Sequence, residues 1–233
     1  MGIRLTWLGH SVFTVELDGH SVLFDPFLTG NPLAAAEPDD LNPELILVSH
    51  GHGDHVGDTI DIAKRTGATV IANVEVAHWL SGKGVPHTSG HNSGGSHSFG
   101  FCTVKFTIAF HSSSLPDGSY GGNPNGFLVT GHESGMRLYY AGDTALFSDM
   151  ELIGDERIDV AFLPIGDYYT MGPSDSIRAI KFLRPRYVVP MHYNTFPPIM
   201  QDASSWANRV SNETSAMPLV LDPGGSFGLP QPG

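Results

Sequence analysis

Leu45-Ile46-Leu47-Val48-Ser49-His50-Gly51-His52-Gly53-Asp54-His55 is the stretch on which the architecture turns. Leu45 to Val48 is a short, wholly apolar run, the pattern of a strand buried on both faces. The six residues from His50 to His55 then supply three imidazoles and a carboxylate at H-x-H-x-D-H spacing, far more than a solvated loop needs. Imidazole nitrogens and carboxylate oxygens suit zinc, manganese or iron. A ligand-dense loop at the end of a buried strand points to an α/β protein built around a metal site.

Working outward, the chain alternates strand-like and helix-like segments without an obvious linker. Residues 3–8, 11–17 and 20–24 read as three strands joined by tight turns, Asp18-Gly19 being the clearest turn signal. A helix is expected from about Asp54–Asp58 to just before Gly67, a strand over 68–72 and a helix over 74–80. The Gly-, Ser- and His-rich stretch 82–100 reads as loops and a hairpin. Strands are expected over 101–110, 126–130, 136–141, 158–163 and 187–191, helices over 174–183 and 199–211, and a last strand at Leu219–Leu221. Three further potential ligands, His111, Asp143 and His192, each fall just past one of these strand-like runs, as does Asp25 upstream. Side chains at strand ends converge on one edge of a sheet, where ligands sit. Two or three ligands per metal can be drawn from the seven residues, which fits a dinuclear centre with an open position for water.

Composition bounds the rest. The 233 residues suffice for one domain spanning 1–233, and 40% hydrophobic residues with a mean hydropathy of −0.06 describe an ordinary soluble protein. The net charge of −12 disfavours a nucleic-acid footprint. No stretch approaches the roughly 20 apolar residues of a membrane span, and no signal peptide opens the chain, so no membrane partner is expected. A single cysteine, Cys102, precludes an internal disulfide, consistent with a cytoplasmic location, and its apolar setting reads as core filling. Met1-Gly2 fits a loose myristoylation pattern, but the alternation of Ile3, Leu5 and Trp7 reads better as a first edge strand. The partner expected is a small-molecule substrate; a homo-oligomer is compatible with the sequence.

The set His50-x-His52-x-Asp54-His55, His111, Asp143 and His192 resembles the metallo-β-lactamase superfamily. The surrounding words Trp7-Leu8-Gly9-His10-Ser11, Phe24-Asp25-Pro26-Phe27, Tyr140-Ala141-Gly142-Asp143-Thr144 and Pro190-Met191-His192-Tyr193-Asn194 are similar to a group of bacterial and archaeal metal-dependent hydrolases related to L-ascorbate-6-phosphate lactonases. The resemblance implies a four-layer αβ/βα sandwich. It implies that His50, His52 and His111 hold one metal, that Asp54, His55 and His192 hold a second, and that Asp143 bridges them. Asp25 would then support the metal-bearing loop by hydrogen bonds. Unlike the oxygen-reducing di-iron relatives, which carry Glu at that place, this chain has His52.

The expected chemistry is hydrolysis of a small ester, lactone or phosphodiester by a metal-bound hydroxide, with two divalent ions, zinc or manganese with iron as a further option, and with Asp54 orienting the nucleophile. The alternatives are a redox di-iron protein on the same scaffold and a non-catalytic metal-binding regulator. Residues 112–126, 168–172 and 193–195 are candidates for the pocket rim. No Lys or Arg occurs between Phe106 and Gly135, so no arginine clamp for phosphate is visible there; Arg178, Lys181 and Arg184 read as a solvated helix face. His10 either faces the site or is a turn residue; His87, His91 and His97 read as exposed loop residues, and His20, His78 and His132 receive no role.

Overall fold

A computed structural model of the chain describes residues 3–229; Met1 and Gly2, and with them the myristoylation pattern, lie outside the described residues. The strands are β1 (Ile3–Trp7), β2 (Phe13–Leu17), β3 (His20–Phe24), β4 (Leu45–Leu47), β5 (Thr69–Asn73), β6 (Thr88–His91), β7 (Ser96–Ser98), β8 (Cys102–Ile108), β9 (Asn125–Gly131), β10 (Arg137–Tyr140), β11 (Val160–Pro164), β12 (Tyr187–Met191), β13 (Met217–Pro218) and β14 (Ser226–Leu229). The helices are α1 (Gly53–Val56), α2 (Thr59–Thr66), α3 (Val74–Gly82), α4 (Met150–Gly154), α5 (Pro173–Leu183) and α6 (Ala203–Glu213). They form two seven-stranded sheets, ordered β14-β1-β2-β3-β4-β5-β6 and β13-β12-β11-β10-β9-β8-β7.

Alternation along the strands explains the layering. In β4, Leu45 and Leu47 enter the large core shared with the second sheet, where Phe106, Phe127, Tyr140 and Phe162 lie. Ile46 and Val48 face the other way, into a smaller core with Ile62 and Ala63 of α2 and Val76 and Leu80 of α3. Beyond the second sheet, Ile177 and Ile180 of α5 and Trp206 of α6 extend the larger core. The order helix, sheet, sheet, helix is the four-layer sandwich. Cys102 is fully buried among these apolar side chains, and burial, then Asp18, pushes its thiol up to about 12. Among the described residues no helix is long and apolar enough to cross a membrane.

Several expectations need correction. β1 is not an edge strand, because β14, missing from the sequence reading, pairs antiparallel outside it with Ile3 opposite Leu229. The last strand of the second sheet is Met217–Pro218, and 219–221 lies beyond it. The hairpin expected within 82–100 does not join β6 to β7: β6 pairs parallel with β5, β7 forms an antiparallel hairpin with β8, and the chain crosses between them from one sheet to the other. His91 and His97 accordingly sit in strands, with His91 half-buried against Phe106 at a ring separation of 5.3 Å, rather than in an exposed loop. The short helix α4 was also absent from the sequence reading. The helix begun near Asp54 is two helices, broken at Gly57 (φ +40°).

That break has a steric cause. A Cβ at Gly57 would lie 2.3 Å from Pro26 O and 2.6 Å from Phe27 Cα, so only glycine lets α1, which carries Asp54 and His55, press against the loop after β3. Gly57→Ala is expected to lower unfolding free energy by about 2–4 kcal/mol, from backbone strain plus overpacking. Urea denaturation reads this directly; a loss below about 1 kcal/mol would show that the contact yields.

Candidate metal centre

Strand direction brings the candidate residues together. In the first sheet β1, β3 and β4 run the same way, and their C-terminal ends lead to His10, Asp25 and the His50–His55 loop. In the second sheet β8, β10 and β12 are likewise co-directional and lead to His111, Asp143 and His192. The donor atoms collect in three groups, each within 4.8 Å: His50, His52 and His111; Asp54, His55, His192 and His10; and His50, His55 and Asp143. Asp143 Oδ2 reaches both sides of the cluster, at 3.5 Å from His111 Nε2, 3.3 Å from His55 Nε2 and 3.0 Å from His192 Nε2.

Asp25 organises this loop without facing the cleft. It is fully buried and accepts from the Ser49 N–H (2.7 Å), the Ser49 hydroxyl (2.6 Å), His55 Nδ1 (2.7 Å) and the Tyr140 hydroxyl (2.7 Å). His55 Nδ1 donates to Asp25, so Nε2 is the nitrogen turned toward Asp143 and the one left for a cation that displaces its proton. The Ser49 hydroxyl, donating to Asp25, can only accept from His50 Nδ1 at 3.0 Å, which frees His50 Nε2. That nitrogen points at His52 Nδ1, 2.9 Å away.

Burial makes the unused donor atoms telling. His55 Nε2, Asp143 Oδ1 and His192 Nδ1 are buried without a hydrogen-bond partner. Such orphans are costly in a folded protein, and a cation among the rings and carboxylates would relieve His55 Nε2. Electrostatics point the same way. Burial disfavours charge on Asp143, but the His192 and His55 rings outweigh it and hold the carboxyl well below its usual range. Burial, reinforced by His55, pushes His50 well below its ordinary value, so it offers a neutral ring. Burial also opposes a proton on His55, but the Asp143, Asp25 and Asp54 carboxylates raise it well above the usual range, as expected where a positive charge is wanted. The donor set therefore fits divalent metal.

The open side is a cleft of about 450 Å³ lined by His52, Asp54, His111, Asp143 and His192, with Ser112, Tyr169, Phe196 and Pro198 around them. Ser112 and Tyr169 come from two of the segments expected to form the rim. The third expectation is corrected: Tyr193 and Asn194 line a different cleft, Thr195 is buried against His10, and Phe196 and Pro198 take that place. The chain turns between β12 and the 3-10 helix Pro197–Ile199, with Asn194 N–H bonded to Ile199 O, which swings Phe196 and not Tyr193 to the mouth. Most of 112–126 folds back instead on α3, where Asn73 Nδ2 donates to Gly121 O and Asn123 O. Arg178, Lys181 and Arg184 pair with Asp175, Glu213 and Asp155 away from the cleft.

His10 is the residue sequence reasoning left undecided. It is fully buried, with Nδ1 2.7 Å from Thr195 Oγ1 and Nε2 3.2 Å from Asp54 Oδ2. Burial, and then His192, push its ring down to about 4, so the imidazole is neutral near pH 7. Its burial could not be read from the Gly9-His10-Ser11 turn, because the partners lie 44 and 185 residues away. His10, Asp25 and His192 all hold positive φ, at 54°, 40° and 54°, a conformation that non-glycine residues rarely adopt outside constrained sites.

Asp25→Asn puts an amide NH₂ against at least one donor, Ser49 N–H at Oδ1, or against three at Oδ2. The metal-free variant is expected to lose about 3 kcal/mol or more of stability in chemical denaturation, because buried donors are left unpaired. A loss under about 1 kcal/mol would mean that these bonds do not hold the loop.

The comparisons with known proteins agree with this geometry. The family model described as the beta-lactamase superfamily domain matches residues 4–192. A UPF0173 metal-dependent hydrolase of Bacillus cereus (strain ZK / E33L) is 50% identical over 97% of this chain and 100% of its own length. A namesake from Bacillus thuringiensis subsp. konkukian (strain 97-27) is equally similar, at 50% over the same shares. Among solved structures, Igni18, a metallo hydrolase from the archaeon Ignicoccus hospitalis KIN4/I, superposes with a TM-score of 0.90 at 37% identity, covering 99% of both chains. A match across most of the chain, high identity over its whole length and a shared sandwich leave one assignment: this chain belongs to the metallo-β-lactamase superfamily, within its metal-dependent hydrolases.

Proposed function

We propose that the chain hydrolyses a small ester or lactone at a dinuclear centre. His50, His52 and His111 would hold one ion, Asp54, His55 and His192 the other, and Asp143 would lie between them. Ions held there supply Lewis acidity and activate water near neutral pH. Of the two carboxylates that line the cleft, Asp54 is the more exposed, at 30%, so it can orient the attacking water by accepting a hydrogen bond from it. Burial opposes its ionisation, but His55 and the bond from His10 hold it far below the ordinary carboxylate range, which keeps it charged for that task. Ser112, Ser113 and Ser114 have no base to make them nucleophiles: Ser112 Oγ lies only 3.4 Å from His52 Nε2, itself beside the cluster, and Ser113 donates to Gly121 O.

The choice of substrate rests on one observation, the lining of the cleft. No Lys or Arg contributes to it, and its mouth is formed by Tyr169, Phe196 and Pro198, with the exposed Tyr168 ring packed edge-on against Tyr169 at 4.7 Å. A substrate carrying a separate phosphate would find no bidentate partner for it. An uncharged carbonyl compound with a small apolar or aromatic part would find a matching surface.

Two measurements test this. Elemental analysis after metal reloading is expected to give close to two ions per chain; His52→Ala and His192→Ala are each expected to lose one and to retain the fold, and Asp143→Asn to weaken both. Saturation at one ion, or a stoichiometry indifferent to Asp143, would reject the dinuclear arrangement. Aryl esters, lactones and phosphodiesters with matched leaving groups are expected to turn over in that order of kcat/KM, with chelator abolishing all activity and Asp54→Ala lowering it at least about 100-fold. Preferred turnover of the phosphodiester, or full activity in Asp54→Ala, would overturn the assignment.

A further inference from the structure

Asp54 presents a mechanical problem. Among the second group it is the exposed member, while His55 and His192 are almost wholly buried. It sits on a helix of only four residues, between Gly53 and the strained Gly57. The packed backbone places its Cα but does not set the side-chain torsions of the partly exposed carboxylate, and a ligand must hold its orientation closely.

His10 is held from every side and touches that carboxylate. Its carbonyl oxygen accepts from Trp7 Nε1 and from the His192 N–H, both at 3.0 Å, which ties its positive-φ backbone to the strand end carrying His192. Its ring packs 4.2 Å from that of His192 and edge-on to Phe27 and Phe196, at 5.7 and 5.6 Å. Its hydrogen bonds then fix its proton. A carboxylate only accepts, so the 3.2 Å approach to Asp54 Oδ2 requires the hydrogen on Nε2. At Nδ1 the Thr195 hydroxyl stands 2.7 Å away, a shorter contact than its 3.4 Å to Tyr193 O, and donates to that nitrogen. Thr195 itself is buried, so water does not compete for Nδ1.

We propose that His10 is a positioning residue: its Nε2–H, kept in that tautomer by the Thr195 hydroxyl, fixes the Asp54 carboxylate in the orientation that receives the second ion. This rests on the dinuclear reading above. His10 itself gives no bond to the ion; it acts through Asp54, as hydrogen-bonded supports of metal ligands do elsewhere.

The test is zinc binding rather than turnover. Metal-free protein is titrated with Zn²⁺ against a chromophoric chelator, which resolves two dissociation constants. His10→Ala is expected to leave the first unchanged and to weaken the second by about 10–100-fold. Thr195→Val, nearly isosteric, is expected to weaken the second in the same direction by a smaller factor. His10→Gln, whose amide N–H can stand where Nε2–H stood, is expected to recover most of the loss. If His10→Ala unfolds, as circular dichroism would report, the other two variants carry the test. Wild-type-like titration of His10→Ala or Thr195→Val overturns the proposal. A His10→Gln variant as weak as His10→Ala also overturns it, by showing the ring nitrogen to be a ligand. Wild type that takes up a single equivalent rejects the dinuclear reading itself, whereas two equivalents with the same pair of dissociation constants in wild type and His10→Ala reject only the role of His10.

Discussion

The Asp25 carboxylate is the constraint on which the rest hangs. It stands at the end of β3 and receives hydrogen bonds from the loop after β4 at Ser49 and His55 and from Tyr140 of the opposite sheet. One buried group thus sets the height of the loop, the spacing of the sheets at that edge and the tautomers of two rings. Such a polar centre is stable only when every partner is present, because each unmatched donor in that apolar setting would cost more than its bond contributes. It follows that the ligand geometry is a property of the folded chain before any ion arrives.

What the sequence revealed and what it hid divide along physical lines. Buried strands such as Leu45–Leu47 and Val160–Pro164 announce themselves by composition, and the strand-end rule then locates Asp25, the His50–His55 loop, His111, Asp143 and His192. Those features are local. β14, by contrast, is a four-residue strand with two exposed positions, whose existence depends on pairing with residues more than 200 positions away. β6 and β7 were legible as extended chain but not as members of different sheets, since local pattern carries no information on which neighbour a strand will choose. His10 and Phe196 belong to the same class: their roles come from what the tertiary fold brings beside them.

The site combines a charged interior with an unusually neutral entrance. Fixed carboxylates and rings lie deep, whereas the mouth at Ser112, Tyr169, Phe196 and Pro198 carries no charged side chain. On the proposed function, selectivity would follow from what the entrance fails to reward, since a substrate's charged appendages would lose water there and gain no charged partner. The chain's net charge of −12 adds a weak long-range bias against anions that bound ions would offset only near the centre.

β14 has a consequence for how the molecule comes apart. Residues 3–91 supply six strands of the first sheet and residues 96–218 supply all of the second, a division that would ordinarily allow two independently melting halves. The last strand abolishes that independence. Leaving the second half, the chain returns to lie against β1, closed by bonds from Gly224 N–H to Trp7 O and from Trp7 N–H to Gly225 O. The halves also share one large core. Loss of either sheet strips the other of a strand or of its packing face, so denaturation is a single cooperative transition in which no half survives the other.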